Sequence, residues 1–456
     1  MIGALAVLPS VRRAHADETS DLRALVEAQS AEIRLLKQRL EALEAKAAVP
    51  APAVAAAPPV AELPVRTAQA PKAPPPAASV RWSGTPDFVS ADGRFRFKPR
   101  GRLYADASWT GGSEHAARNV SGTEMRALWM GFEGQIDKFN YILTADFANN
   151  EAAIRSAYIA WRDRTPAGDL EITLGNRLSE RSLEGSSSSE GSPFMERNAV
   201  ALAISPLKGL YGLGVTAKLF GDGWHVAAQV AGDDINNNPG TARDTVTTMV
   251  RAHWNPVRGD AGTLHVAAWG FHEAFSSGVT RLTRSTYWSG DHFNDSLLVP
   301  MGAIDDPSQA VGWGLELGGL SGPFWAFAEY GERRIDGRPV SATVSSWNVS
   351  AGWVLTDDRP SYATRSGTWV RTRPREPFSE GGIGAVELVG RVQRLDNTDV
   401  PLGGVGEEVS LGLNWKPEEW LRLMLNASLW RTENTTGAYA GKDTGQAVNT
   451  RLQVSF

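Results

Sequence analysis

The stretch RFRFKPRGRLYADASW, residues 94–109, decides the fold. Its odd positions are mainly apolar and end in Trp109, whereas its even positions begin with a row of cations. Because successive side chains of a β-strand point to opposite faces, this segment needs an apolar medium on one side and water on the other. A soluble sandwich and a transmembrane barrel with a wet lumen both meet this requirement.

The same alternation recurs along the chain and favours the barrel. It is present in residues 139–147, 246–254, 386–393, 409–416, 421–429 and 448–456. Such repetition predicts an all-β fold, one large antiparallel sheet closed on itself. The last segment alternates up to Phe456, as expected of a strand that must pair with the first strand in lipid. At roughly 20 to 24 residues per strand and connection, the chain from Arg94 onward forms about sixteen strands around an aqueous lumen.

Composition excludes several classes of protein. The 456 residues include 46 glycines, 16 tryptophans and no cysteine, which favours an all-β envelope protein over a zinc or disulfide scaffold. No eighteen apolar residues run together, so no membrane-spanning helix is expected. The formal charge of −5 argues against a nucleic-acid partner. Because Ser186–Ser189 lacks a G-x-S-x-G pattern and the histidines show no ligand spacing, we expect no enzyme, catalytic residue, metal or cofactor.

The N-terminal region has three parts before the barrel at 82–456. Residues 1–16 end in Ala14-His15-Ala16 and predict a signal peptide. Residues 17–47 carry about three heptads and predict a coiled coil that is too short to be stable unless it associates. A helix packed on its own domain is the alternative. Residues 48–81 are rich in Ala and Pro and predict an extended spacer.

Five strings, in order along residues 82–456, resemble the phosphate-selective porin O and P family. They are FKPRGRLYADA (97–107), LGNRLSERSLEGSSSSEGSPFMERN (174–198), GAVELVGRVQRLD (384–396), LGLNW (411–415) and RLQVSF (451–456). The resemblance implies a homotrimeric, sixteen-stranded barrel in the lipid of the bacterial outer membrane, and some family members carry a periplasmic N-terminal coiled coil. It also implies passive transport of small anions such as phosphate through a water-filled lumen lined by Arg and Lys. By the same analogy, an infolded loop within 178–198 narrows the lumen.

Cations on inner strand faces are the candidate site residues. Guanidinium groups offer forked donors that match phosphate oxygens, and strand positions two apart place them about 6 to 7 Å apart. The predicted pore-lining and anion-binding residues are Arg94, Arg96, Lys98, Arg100, Arg102, Arg197, Arg251, Arg391, Arg422 and Arg451. The alternative for the first of these is a solvated position at the periplasmic mouth, which Pro99 favours because it removes a ladder donor.

Two other functions stay open. Acidic residues expected on inner faces, among them Asp106, Asp146 and Glu387, would suit a general or sugar-permeable porin. The coiled coil could also contact the cell wall and tether the envelope. Finally, the alternation breaks in residues 125–132 and 153–161, and a bulge there would reverse the inside and outside assignments that follow.

Overall fold

The computed structural model describes residues 78–82, 84–206, 209–236, 245–289 and 292–456. The predicted signal peptide and coiled coil, and most of the predicted spacer, lie outside the described residues, so the domain boundaries there stay predictions. Within the described part of the chain, no helix is long and apolar enough to cross a lipid bilayer.

Strands dominate the described residues. The strands are β1 (Ser79–Trp82), β2 (Pro86–Val89), β3 (Phe95–Gly111), β4 (Ser121–Ile136), β5 (Phe139–Asp146), β6 (Ala153–Thr165), β7 (Gly168–Leu178), β8 (Tyr211–Gly221), β9 (Trp224–Ala231), β10 (Val246–Trp254), β11 (Thr263–Ala274), β12 (Arg281–Tyr287), β13 (Leu298–Asp305), β14 (Gln309–Ser321), β15 (Phe324–Asp336), β16 (Ala342–Val354), β17 (Tyr362–Ala363), β18 (Thr368–Trp369), β19 (Ala385–Asp396), β20 (Gly404–Glu418), β21 (Leu421–Asn434) and β22 (Gly441–Ser455). The helices are α1 (Leu183–Ser186) and α2 (Ala199–Ala203), with single 3-10 turns at Ala116–Arg118, Ala148–Asn150 and Phe378–Glu380. The all-β prediction is confirmed.

Sixteen of these strands form a closed antiparallel barrel, as predicted. They are β3 to β11, β14 to β16 and β19 to β22, each paired with the next, and β22 pairs with β3 to close the sheet. At this seam the N–H of Gly101 donates to the carbonyl of Phe456 at 3.0 Å, and the N–H of Phe456 donates back at 3.0 Å. A Cβ atom at Gly101 would lie 2.3 Å from the Phe456 ring, so only glycine lets the terminal ring cover the seam.

The two faces of the barrel differ in polarity. In β22, Leu452 lies on the outer face with 41% of its surface exposed, whereas Arg451 and Gln453 are buried on the inner face. Exposed Trp109, Trp254 and other tryptophans lie at or near strand ends on the outer face, where an interfacial girdle is expected. The alternation predicted from the sequence therefore separates a lipid-facing surface from a polar interior.

The two ends of the barrel differ in their connections. Two-residue turns at 137–138, 166–167, 222–223 and 419–420 lie at the end that also carries the C-terminus. Longer connections join the strands at the opposite end. Because bacterial barrels have short periplasmic turns and longer extracellular loops, the end with the C-terminus is periplasmic.

Three segments fold into the barrel. They are the lumen loop (179–206), the entrance hairpin formed by β12 and β13, and the periplasmic insert (355–384). Trp288 and Val299 of the hairpin region belong to one buried apolar cluster that also includes Val200 of α2 and Trp269 of the wall. Trp369 of the insert packs between Trp325 and Phe327, with ring centroids 4.8 and 5.2 Å away. The expectation of one infolded loop was therefore incomplete, because these segments bury apolar side chains that a wet lumen would leave exposed.

Candidate functional site: an arginine-lined cavity in the lumen

The ten predicted cations fall into three groups, and the first lies at the periplasmic rim. Arg94 is exposed and pairs with Asp137 at 2.6 Å, while Arg96 pairs with Asp87 at 2.7 Å. Lys98 is half-buried and lies opposite Glu133 in the pairing of β3 with β4. None of these three lines the lumen cavity described below.

The second group holds the inserted segments in place. Arg251 is fully buried and donates two hydrogen bonds to Glu316, at 2.9 and 2.8 Å, and others to the carbonyls of Ser366 and Gly367. Arg422 donates to the carbonyls of Ser192 and Pro193 at 2.7 and 3.2 Å. Both side chains therefore attach infolded backbone to the wall, away from open space.

Of the five predicted cations in the third group, four line a lumen cavity of about 440 Å³. Six arginines line this cavity, and they are Arg100, Arg102, Arg126, Arg155, Arg197 and Arg451. Only two lining residues, Asp146 and Glu196, are acidic. Sequence reasoning predicted Arg100, Arg102, Arg197 and Arg451, and the fold brings them together from two barrel strands and the lumen loop.

Arg102 connects the wall to the lumen loop. Its guanidinium donates to the hydroxyls of Ser189 and Ser188 at 2.9 and 3.1 Å and to the carboxylate of Glu190. It also lies 4.2 Å from the centre of the Trp129 ring. Burial opposes ionisation of Glu190, a loop residue, but the guanidinium groups of Arg102 and Arg371 outweigh it and lower its pKa to about 2. The loop is thus attached to the barrel wall by the Arg102–Glu190 ion pair.

Glu196 lies among the arginines as an internal counter-ion. Its two oxygens accept from Arg126 at 2.8 and 3.0 Å, and one of them also accepts from Arg451 at 2.8 Å. Arg451 is further held by both oxygens of Asp106, at 2.8 and 2.7 Å. A carboxylate is therefore already bound by two guanidinium groups at the wall of the cavity.

Arg197 is positioned by neutral groups. Its guanidinium donates to the carbonyls of Glu184 and Ser187, at 3.0 and 2.8 Å. Carbonyl partners satisfy its donors without cancelling its charge. Arg197 thus brings positive charge to the cavity from the lumen loop.

A second cavity of about 220 Å³ adjoins the first. The two share Arg126, Glu196, Arg197 and His292 in their lining. Arg391 lines the second cavity, pairs with Glu184 and lies 3.7 Å from the centre of the Phe194 ring. The shared residues place the two cavities side by side in the lumen.

Arg126 and Arg155 were missed from the sequence because both lie where the alternation breaks. In β4, Ala127 lies opposite Tyr104 and Met125 opposite Ala105, so Arg126 is the extra residue of a bulge. In β6, Ser156 and Ile154 lie opposite Thr144 and Ala145, and Arg155 is the extra residue. The broken alternation in 125–132 and 153–161 was the signal, and a bulge redirects the side chain it carries.

The three acidic residues expected on inner faces are paired with wall cations. Asp106 accepts from Arg451, Asp146 accepts from Arg155 at 2.9 Å, and Glu387 accepts from Lys416 at 3.3 Å. These pairs place negative charge behind or beside the cations and reduce the net potential of the wall.

Three histidines contact one another on adjacent strands. His225 of β9 and His253 of β10 lie with their Nδ1 atoms 2.5 Å apart, and His265 of β11 stacks on His253 with ring centroids at 5.7 Å. Tyr362 of the periplasmic insert hydrogen-bonds Nδ1 of His265 at 2.6 Å. In the described part of the chain, no group of His, Cys, Asp or Glu has the arrangement of a metal site.

Comparison with known sequences identifies relatives over nearly the whole chain. The family model described as phosphate-selective porin O and P matches residues 97–456. A protein of Caulobacter vibrioides is 28% identical over 467 residues, which cover 96% of this chain and 91% of the relative. Porin O of Pseudomonas aeruginosa is 24% identical over 415 residues, which cover 83% of this chain and 92% of Porin O.

Solved structures resemble this fold more distantly. OmpT of Vibrio cholerae has a TM-score of 0.48 and 12% identity, covering 80% of this chain and 98% of its own. The anion-selective porin from Comamonas acidovorans has a TM-score of 0.46 and 12% identity, covering 79% of this chain and 100% of its own. Both are likenesses of fold.

Proposed function

We propose that this chain, which belongs to the phosphate-selective porin O and P family, gives passive, anion-biased diffusion across the bacterial outer membrane. The family makes it an outer-membrane porin. The proposal concerns what the porin selects and which residues select it. Inorganic phosphate and other small anions are the solutes that the family name suggests.

The observation that carries the proposal is the lining of the larger cavity, which contains six arginines and only two carboxylates. An anion that leaves bulk water needs donors to replace its hydration shell, and guanidinium groups supply several in a fixed fork. The carboxylates of Glu190 and Asp106, which pair with Arg102 and Arg451, are absent from this lining. Cationic groups therefore dominate the surface that a passing ion meets.

The proposed path follows the adjoining cavities. Arg391 and Arg197 line the smaller space, Arg126 is shared by both, and Arg102 lines the larger one. An anion can move from one guanidinium to the next without returning to bulk water. In this proposal Arg251 and Arg422 support the path by holding the inserted segments, whereas Arg94, Arg96 and Lys98 lie at the periplasmic rim, outside the two cavities.

A general or sugar-permeable porin is the second candidate. Ion pairs such as Arg155 with Asp146 and Arg162 with Glu171 neutralise part of the wall. Aromatic rings also line the cavity, and neutral sugars pack well on such surfaces. This candidate predicts weak ion selectivity.

The assembly and the N-terminal region belong to the same proposal. The heptads of residues 17–47 predict helices that associate, and we propose a homotrimer with this segment in the periplasm after removal of residues 1–16. Contact of the coiled coil with the cell wall would add a tethering role. Deleting residues 17–80 should then weaken the envelope and leave conductance unchanged.

One measurement separates the two transport functions. The purified protein is inserted into planar bilayers, and the zero-current potential is read across a KCl gradient. An anion-biased porin gives a potential of the sign set by chloride, and added phosphate lowers the chloride current. A potential near zero, together with swelling of protein-containing liposomes in neutral sugars, would instead establish the general porin.

A further inference from the structure

The larger cavity is lined by aromatic rings as well as arginines. Tyr104, Trp129, Tyr158 and Tyr211 all contribute to its surface. A small hydrated anion such as phosphate gains nothing from contact with these ring faces. The rings are therefore a feature of the cavity that selection for charge alone leaves unexplained.

The rings lie next to the cationic groups. The Arg102 guanidinium lies 4.2 Å from the centre of the Trp129 ring, and that of Arg155 lies 5.9 Å from the same ring. The Arg451 guanidinium lies 5.2 Å from the centre of the Tyr104 ring. A ligand that is flat at one end and anionic at the other would contact a ring and a guanidinium at the same time.

The charged end that fits is a carboxylate. The Glu196 carboxylate receives two hydrogen bonds from Arg126 and one from Arg451, so these side chains are already arranged around a planar, two-oxygen anion. A solute carboxylate would bind here in place of the carboxylate of Glu196, which belongs to the lumen loop, whereas the two arginines belong to wall strands.

The size of the cavity also fits. Its volume of about 440 Å³ falls within the ~300–1,000 Å³ of sites that bind small organic ligands. Hydroxyls of Ser188, Ser189 and Ser192 lie along its loop side and can solvate polar substituents.

We propose that the preferred solute is an organic carboxylate that carries a flat, unsaturated ring, with the ring on Trp129 and Tyr211 and the carboxylate at Arg126 and Arg451. This inference rests on the proposed anion-biased function and narrows its solute class. Phosphate remains a permeating ion, with weaker binding at this position.

The test uses the full-length protein in planar bilayers with chloride as the current carrier. Benzoate, cyclohexanecarboxylate, acetate and inorganic phosphate are added separately, and the concentration that halves the chloride current is measured for each. Benzoate and acetate share one carboxylate and differ in the ring, while cyclohexanecarboxylate matches benzoate in size without a flat ring. We expect benzoate to act at a concentration about fivefold below acetate, the ratio that an aromatic contact of about 1 kcal/mol gives.

Variants locate the effect. The quantity compared is the acetate concentration that halves the chloride current divided by the benzoate concentration that does so. In Trp129→Leu this ratio should fall to about one. In Trp313→Leu, which replaces an exposed tryptophan on the outer face, the ratio should stay at the wild-type value. Folding of each variant is checked by heat-dependent mobility on a gel. Tyr211→Leu replaces Trp129→Leu if the latter does not fold, and a smaller fall in the same ratio is expected.

The outcomes separate the two proposals. This inference is overturned if the channel is anion-selective but acetate or phosphate halves the chloride current at the same concentration as benzoate or at a lower one. The proposed function then stays in place. Equal action of benzoate and cyclohexanecarboxylate also overturns it, since size alone would then explain binding. A channel without anion preference overturns the proposed function and this inference together.

Discussion

Arg126 and Arg155 occupy equivalent positions, because each is the extra residue of a β-bulge and both side chains line the same cavity. The two bulges lie in β4 and β6, on either side of the short strand β5. The extra residue of a bulge does not follow the strand's alternation, so its side chain points in a different direction from the one that the alternation predicts. Two such interruptions deliver two guanidinium groups to one wall of the lumen.

Neutralising either bulge arginine should weaken anion preference. One unit charge about 4 Å from an ion in water contributes ~1 kcal/mol, so Arg126→Gln and Arg155→Gln should each weaken the binding of chloride by roughly fivefold and thereby lower the chloride preference over potassium. The zero-current potential in a KCl gradient measures this ratio. Arg94→Gln, which removes the same charge at the exposed rim, is the matched control and should leave the potential close to that of the wild type.

Deleting Arg126 altogether should leave the barrel intact. Without this residue, Met125 and Ala127 would become consecutive members of a regular strand opposite Ala105 and Tyr104. Deleting Val392 from the regularly paired β19 should instead turn part of the strand's side chains to the wrong face and abolish folding. Heat-dependent gel mobility after refolding distinguishes the two, and failure of both variants would show that the bulge is required for folding.

The side-chain directions of the regular strands could be predicted from the sequence, whereas those at the bulges could not. The alternation of β22 predicted that Arg451 faces inward and Leu452 outward, because successive side chains of a strand point to opposite faces. In the structure Arg451 is buried and Leu452 is exposed. The broken alternation in 125–132 and 153–161 indicated where bulges lie but not which residue each one redirects. Arg251 and Arg391 were expected at the pore on equal grounds, yet Arg251 holds the periplasmic insert while Arg391 lines the smaller cavity. Local patterns cannot separate these cases, since the difference depends on what folds against each side chain.

Removing the counter-ion of Arg251 should destabilise the barrel. Arg251 and Glu316 are both fully buried, so Glu316→Gln leaves an uncompensated buried charge at a cost of about 3–5 kcal/mol. Unfolding in urea, followed by tryptophan fluorescence of the protein in lipid vesicles, measures the free energy. Glu407→Gln removes a half-exposed carboxylate paired with Arg394 and Arg431 and should cost less than ~1 kcal/mol. Equal losses in the two variants would contradict the assigned role of Arg251.

Shortening the periplasmic insert should widen the lumen. Val354 and Glu387 pair across β16 and β19, so a short glycine-rich turn in place of residues 357–382 can connect the two strands. Removal of Trp369 and its neighbours empties the space beside Trp325 and Phe327, and single-channel conductance should rise. Arg365→Gln alters only an exposed residue of the same insert and should leave conductance unchanged. If the shortened protein has the same single-channel conductance as the wild type, the narrowest part of the lumen lies away from the periplasmic insert.

The amino-acid sequence by itself determined the barrel, its strand number and the polarity of its two faces, because the period of two and the spacing of turns are local properties. Only the tertiary structure decided which cations share a cavity. Arg197 of the lumen loop, Arg126 of a bulge and Arg451 of the last strand meet because the sheet closes and the loop folds inward. Those contacts join residues far apart in the chain, and the same insertions bury Arg251 and Arg422 while leaving Arg94 in solvent.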